Sequence, residues 1–207
     1  MHRRTFVTML ASSAAVSLLA IAPSHAEPKV GAPAPAFSAV NSEGKTVNLN
    51  DYRGKTVVLE WTNDGCPYVR KHYGSGNMQA LQKKWTEQGV VWLSVISSPP
   101  GEQGFADGAR ANSLTSERKA TPTAVLLDPK QQVARAYGAT VTPHMYIIKP
   151  DGALAYAGGI DDKATTRTAD VKDARNFVDE ALAELKAGKP VSNSATRAYG
   201  CTVKYSS

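Results

Sequence analysis

The sequence predicts an α/β domain built on a central mixed β-sheet flanked by helices. Three observations carry this. Short β-branched apolar runs at 56–61, 90–96, 123–127 and 145–149 alternate with stretches of helical periodicity, as strands joined by crossover helices do. A Pro150-Asp151-Gly152 turn folds 154–157 back as an antiparallel partner of the fourth run. The 207 residues are 42% hydrophobic and 20% charged, enough for one folded core and too apolar for wholesale disorder.

Residues 1–26 (MHRRTFVTMLASSAAVSLLAIAPSHA) have the layout of a secretory signal: Arg3 and Arg4, an apolar stretch, and a small-x-small site at Ser24-His25-Ala26. The Arg pair followed by Thr5, Phe6 and Val7 resembles a twin-arginine export signal. The apolar stretch is too short and too broken by serines to span a bilayer. Its removal leaves 27–207 as the expected mature domain, with a C-terminal tail at 189–207. That domain is expected to be periplasmic or secreted, in a disulfide-permissive compartment and without stable membrane insertion.

The remaining elements follow in order. Residues 27–36 form an extended Pro/Ala/Gly lead-in, and 37–40 with 46–48 flank a turn at 41–44, which predicts an N-terminal β-hairpin. After a turn at 51–54 comes the first buried strand, 56–61. A helix starts at Cys66, because Pro67 suits a first helical position. Gly74-Ser75-Gly76 interrupts it, and 78–88 resumes with Met78, Leu81 and Trp85 on one face. The strand 90–96 and a Pro/Gly loop at 97–104 precede a helix at 106–119. The strand 123–127 and a short helix at 131–137 lead to the last pair of strands. The clearest helix is 171–187, with Val171, Ala174, Phe177, Val178, Ala181, Leu182 and Leu185 on one face and Gly188 and Pro190 at its end. In the tail, Tyr199, Cys201, Val203 and Tyr205 alternate with Gly200, Thr202 and Lys204, which predicts an extended segment with Cys201 on its apolar face.

Composition narrows the chemistry. Two cysteines cannot make a disulfide-dense scaffold or a four-cysteine zinc site. The net charge of +6 comes from 24 basic against 18 acidic residues with no run of five like charges, a solvated surface rather than a nucleic-acid footprint. Gly74-Ser75-Gly76 lacks the Gly-Lys-Ser/Thr continuation of a phosphate loop. Asp128, Asp161 and Asp162 read as turn and cap residues.

Cys66 is the chemically loaded position. A thiol where a buried strand hands over to a helix feels the positive end of the helix dipole, which favours the nucleophilic thiolate. Arg70 and Lys71 add positive charge, and His72 could point back toward the sulfur. The alternative is an inert thiol filling the joint. Thr142-Pro143 stands at the entry to a central strand, where proline removes a ladder donor. A cis bond in a tight loop explains it, as does an ordinary trans proline. In a thiol–disulfide enzyme such a loop lies across from the reactive cysteine and offers backbone to the incoming chain.

Trp61 to Tyr73 (WTNDGCPYVRKHY) resembles the active-site segment of thioredoxin-like proteins. More narrowly, this stretch, 140–161 (TVTPHMYIIKPDGALAYAGGID) and 199–205 (YGCTVKY) resemble the peroxiredoxin-like redoxins of the alkyl hydroperoxide reductase/thiol-specific antioxidant superfamily. The resemblance implies a thioredoxin-like fold, Cys66 as the active-site nucleophile, and Trp61, Pro67, Thr142 and Pro143 around it. It implies an antioxidant or thiol–disulfide oxidoreductase with no cofactor, its partners a peroxide or disulfide substrate and a thiol reductant. The sequence departs from both patterns: Val69 stands where thioredoxins have a second cysteine, Leu59 and Asn63 replace the peroxiredoxin Pro and Thr/Ser, and the arginine that peroxiredoxins place beside the peroxide has no counterpart identified in the sequence. Cys201 is then the candidate resolving thiol. A permanent Cys66–Cys201 staple is the alternative to a redox pair. A second class also stays open: a non-catalytic copper-, metal- or partner-binding module, with His144 facing Cys66 and Cys201 or His72 completing the set.

Overall fold

The structure, a computed structural model, describes residues 28–206. The signal segment expected at 1–26 lies outside them. In chain order the elements are β1 (Ser38–Asn41), β2 (Thr46–Asn48), β3 (Val57–Trp61), α1 (Pro67–Gly74), α2 (Asn77–Thr86), β4 (Val91–Ile96) and α3 (Gly108–Glu117). They continue with β5 (Ala124–Leu127), α4 (Gln132–Tyr137), β6 (Val141–Thr142), β7 (His144–Ile148), β8 (Leu154–Gly158), α5 (Phe177–Lys186) and β9 (Cys201–Thr202).

Seven strands form the mixed sheet that the sequence predicts, in the order β2-β1-β5-β4-β3-β7-β8. β3, β4 and β5 run parallel at its centre, β7 and β8 extend it antiparallel on one side, and β1 pairs antiparallel with β5 on the other. β3 and β4 are buried along their whole length because both faces are covered. On one face Val57, Leu59, Trp61, Leu93, Tyr146 and Ile148 pack under α4. On the other, Val58, Trp92, Met145 and Ile147 meet α1, α2 and α5 through Val69, Met78, Trp85 and Val178. Each buried run therefore reads as continuously apolar rather than alternating.

Glu60 is the exception within the β3 run. Its carboxyl is fully buried and accepts hydrogen bonds from Tyr73 Oη (2.7 Å), Trp92 Nε1 (2.8 Å), Ser94 Oγ (3.0 Å) and Gln82 Nε2 (3.1 Å). Burial raises its pKa, and the four donors only partly oppose that rise.

Several elements differ from expectation at their ends. The final helix starts at Phe177, not at 171. Thr168–Asp173 is a 3-10 turn, and the chain is then pinned to the strand exit by Phe177 N–H on the Ile160 carbonyl (3.0 Å) and Arg175 N–H on Asp162 (3.0 Å). Asn176 caps α5 by accepting from Asp179 N–H. Val171 and Ala174 share the helical spacing but not the helix. The helix expected over 106–119 shortens to α3 because Asp107 caps it and Lys119 takes a positive φ of 52°. Asp128 does act as a cap, accepting from Val133 and Ala134 at the start of α4.

Removing the Glu60 carboxyl strands four donors beneath α1. Glu60→Ala is expected to lower the unfolding free energy by about 3 kcal/mol or more, read from the midpoint and slope of urea denaturation. An unchanged midpoint would remove Glu60 from the core's support.

Candidate active site

Cys66 is the N-cap of α1, and Pro67 takes the first helical position, where its missing N–H costs nothing. The loop before it is tied down by Asn63, whose side chain accepts from Gly65 N–H (2.8 Å) and whose carbonyl accepts from Cys66 N–H (3.1 Å). These bonds set the thiol at the mouth of the helix. Cys66 has no accessible surface. Its sulfur lies against the Thr142-Pro143 loop, whose peptide bond is cis, and the thiol donates to the Thr142 carbonyl at 3.1 Å.

Cys201 completes the arrangement. β9 pairs antiparallel with β6, with Thr142 opposite Cys201 and Val141 opposite Thr202. Gly200 makes the approach possible: at φ 148° it presses its main chain onto the Thr142 carbonyl, and a Cβ there would collide with that oxygen. Both cysteines are free thiols, and Cys201 is partly exposed. Their acidities diverge. Burial pushes the Cys66 thiol up, but hydrogen bonding from the Cys201 thiol, the Thr142 side chain and the backbone N–H groups of Val69 and Cys201 outweighs it, so Cys66 lies below an ordinary cysteine. Cys201 is pushed up to about 12, first by burial and then by the neighbouring Cys66.

The other expected residues divide. Pro67 follows the thiol as the first residue of α1, and Thr142 with Pro143 forms the cis-peptide loop on which the sulfur rests. Trp61 does not join them. It lies on the opposite face of the sheet, stacked on Tyr137 (5.6 Å between centroids) and Tyr146 (5.3 Å), with its indole N–H on Ser97 Oγ (3.1 Å). His144 does not face Cys66 either. Along β7, Met145 and Ile147 pack with Cys66, so the alternation turns His144 and Tyr146 to the other side. There His144 Nδ1 is 3.3 Å from Tyr146 Oη, and the two rings lie 4.5 Å apart. The Cys66–His144 metal pair is therefore not formed. Among the described residues no group of three or more His, Cys, Asp or Glu side chains is placed to hold a metal ion.

The basic residues of α1 also point elsewhere. Arg70 is exposed and donates to the Asp64 carbonyl (2.8 Å). Lys71 and His72 are buried in a polar cluster with Asp161 and Tyr199. Lys71 Nζ reaches Asp161 Oδ2 (3.3 Å), the Lys163 carbonyl (2.6 Å) and Tyr199 Oη (3.3 Å), and Tyr199 Oη donates to Asp161. His72 Nε2 lies 3.2 Å from Tyr199 Oη, while Asn77 donates to its Nδ1 (3.0 Å), which assigns the ring proton to Nε2. Asp161 takes the expected turn role, its Oδ1 accepting from Lys163 N–H two residues on (2.9 Å), and is in addition a buried counterion. Its partner Lys71 is 90 residues away, too distant for any local pattern to pair them.

A thiol capping a helix, set against a cis-proline loop beside a central mixed sheet, belongs to a thioredoxin-like fold. Its family is narrower: the chain belongs to the AhpC/TSA family, whose pattern matches residues 30–157. It is 28% identical over 126 residues to the thiol-disulfide oxidoreductase ResA of Bacillus thuringiensis, covering 61% of this chain and 67% of that one. It is 31% identical over 111 residues to a Haemophilus influenzae chain named as a peroxiredoxin (bcp), covering 53% and 64%. Among solved structures, an uncharacterized conserved protein from Geobacillus kaustophilus superimposes with a TM-score of 0.72 at 24% identity, over 86% of this chain and 93% of that one. The family match ends before the tail that carries Cys201.

Two outcomes follow from these acidities. Cys201→Ala removes a donor to the Cys66 sulfur, so the midpoint of the thiolate absorbance rise near 240 nm is expected to move to higher pH. An unmoved or lower midpoint would show that Cys201 does not stabilise the thiolate. His72 and His144 are each held down to about 4, mainly by burial, against an ordinary value near 6.5. They favour the fold fully above pH 6.5, and that contribution is lost as pH falls toward 4. Each histidine is worth about 1.4 kcal/mol per pH unit in that window. His144→Asn is expected to reduce the pH slope of unfolding stability there by about one proton; an unchanged slope would show that His144 titrates normally.

Proposed function

We propose that the protein is an exported thiol oxidoreductase in which Cys66 is the nucleophile and Cys201 the resolving thiol. The observation that carries this is the pairing of a low-pKa buried thiol with a high-pKa thiol held beside it by β9. The Cys66 thiolate attacks one atom of an oxidant. With a hydroperoxide, an S–O bond forms, the O–O bond breaks, and the departing oxygen leaves as alcohol or water after taking a proton. With a disulfide, a new S–S bond forms and the other sulfur leaves as a thiol. Cys201 then loses its proton and attacks the Cys66 sulfur, closing Cys66–Cys201 and releasing water or the second thiol. The pair of thiols has given up two electrons, which an external thiol reductant returns by exchange. The high pKa of Cys201 keeps it protonated, a hydrogen-bond donor rather than a competing nucleophile, until that second step.

The export half of the proposal is supported by the layout of 1–26, and among the described residues no helix is long and apolar enough to cross a membrane.

Single-turnover assays separate the roles. Cys66→Ser is expected to cost roughly 10³-fold or more in reaction with both peroxide and a disulfide dye. Cys201→Ser is expected to keep the first attack but stop at a sulfenic acid or mixed disulfide on Cys66, visible by mass spectrometry. Full turnover in Cys66→Ser would overturn the assignment.

A further inference from the structure

The cover over Cys66 is the chain's own tail, and the way it is attached restricts what can reach the sulfur. An extended segment that brings a cysteine to Cys66 must lie beside the backbone facing that sulfur and pair with it, as strands add to an exposed edge. That backbone is Thr142, whose carbonyl is 3.1 Å from Cys66 Sγ. The edge is already taken: Cys201 and Thr202 pair there, and Val203 N–H continues onto the Thr140 carbonyl at 3.0 Å. Cys201 stands where the cysteine of an incoming disulfide would stand.

We propose that the tail occupies in cis the docking edge of an extended protein disulfide, that Cys66 therefore takes low-molecular-weight oxidants, and that Tyr199 and Gly200 are the specificity-determining residues. This rests on Cys66 being the nucleophile, and it adds the class of oxidant and the residues that select it.

The attachment is strong on both sides of Cys201. Upstream, the Tyr199 phenol donates to Asp161 and lies 3.3 Å from Lys71 Nζ and 3.2 Å from His72 Nε2. Its ring packs edge-on to Tyr68, 5.7 Å between centroids. The Lys71 and Asp161 side chains are 0% and 1% exposed, so the phenol is part of the hydrogen bonding that makes a buried ion pair tolerable. Gly200 then brings the main chain into contact with Thr142, which no residue bearing a Cβ can do in place. Downstream, Val203 is buried, Gln131 donates to the Lys204 carbonyl (2.9 Å), and Tyr205 Oη donates to the Ala139 carbonyl (2.7 Å). A hydroperoxide or a small disulfide needs only a side-chain-sized opening beside the partly exposed Cys201. A protein disulfide needs β9 off the edge.

The test uses the reduced full-length protein and three oxidants: hydrogen peroxide, a small aromatic disulfide, and insulin as a protein disulfide. Rate constants for oxidation of Cys66 are compared for wild type, Tyr199→Phe and Gly200→Ala, with circular dichroism and melting curves checking the fold. The wild type is expected to react with insulin at least about a hundredfold more slowly than with one of the small oxidants. Each folded variant is expected to raise the ratio of insulin to small-oxidant rate at least about tenfold. The two variants disturb different anchors, one in the buried cluster and one at the strand edge. Mere destabilisation lowers or raises all three rates together and leaves the ratio where it was. Insulin reacting as fast as the small oxidants in wild type overturns the proposal, as does an unmoved ratio in the folded variants. Reaction with none of the three oxidants would instead remove Cys66 as nucleophile, and the exclusion with it.

Discussion

Two residues of strand pairing hold this site together. Cys201 and Thr202 on Val141 and Thr142 are the whole of the second sheet, yet they bring together groups from three distant parts of the chain. The helix N-terminus contributes Cys66, the cis-proline loop contributes the Thr142 carbonyl and hydroxyl, and the tail contributes a second thiol. Without the pairing, the sulfur would keep the Thr142 carbonyl but lose the second thiol beside it. With it, the sulfur is enclosed, supplied with donors, and given a protonated partner.

So short a ladder cannot hold an extended tail by its own hydrogen bonds, each worth about 1 kcal/mol net. The flanking contacts explain why it persists. Tyr199 reaches into a cluster of buried charge, and Val203 and Tyr205 settle against the sheet and the loop following α4. Burying Lys71 and Asp161 is costly unless every polar atom is answered, and the phenol is one of the answers. Lys71, the charged residue of α1 in that cluster, is therefore tied to the sulfur only indirectly, through the tail it helps to hold.

Much of this was legible in the sequence. Buried strands announce themselves as apolar runs, and Pro67 after Cys66 marks a helix start in one dipeptide. The alternation from Tyr199 to Tyr205 announced an ordered tail, and Tyr199 and Val203 are indeed buried. The failures have physical causes. Helical spacing runs smoothly through Val171 and Ala174 into α5, because periodicity registers side-chain direction and not the backbone contacts that pin residues 175–177. His144 lies just outside the apolar run 145–149, so the run alone does not fix its direction; as the first residue of β7 it falls opposite Met145 by simple alternation. Asp161 and Lys71 meet only through tertiary folding, so neither neighbourhood hints at the other. Trp61 belongs to the resemblance but faces the wrong side of a strand for the site.

Glu60 gives the site a mechanical property. Its carboxyl grips Tyr73, in the last turn of α1, and Gln82 of α2, while the thiol sits at the opposite end of α1. The helix is thus held at both ends, by Glu60 in the core at one and by Asn63 and the Thr142 carbonyl at the other. The aim of its N–H groups at the sulfur is set from beneath the sheet's helical face, one helix length away. A core substitution that tilts α1 by a few degrees acts on thiol acidity from there, and Cys66 is tuned by residues a helix length from its sulfur.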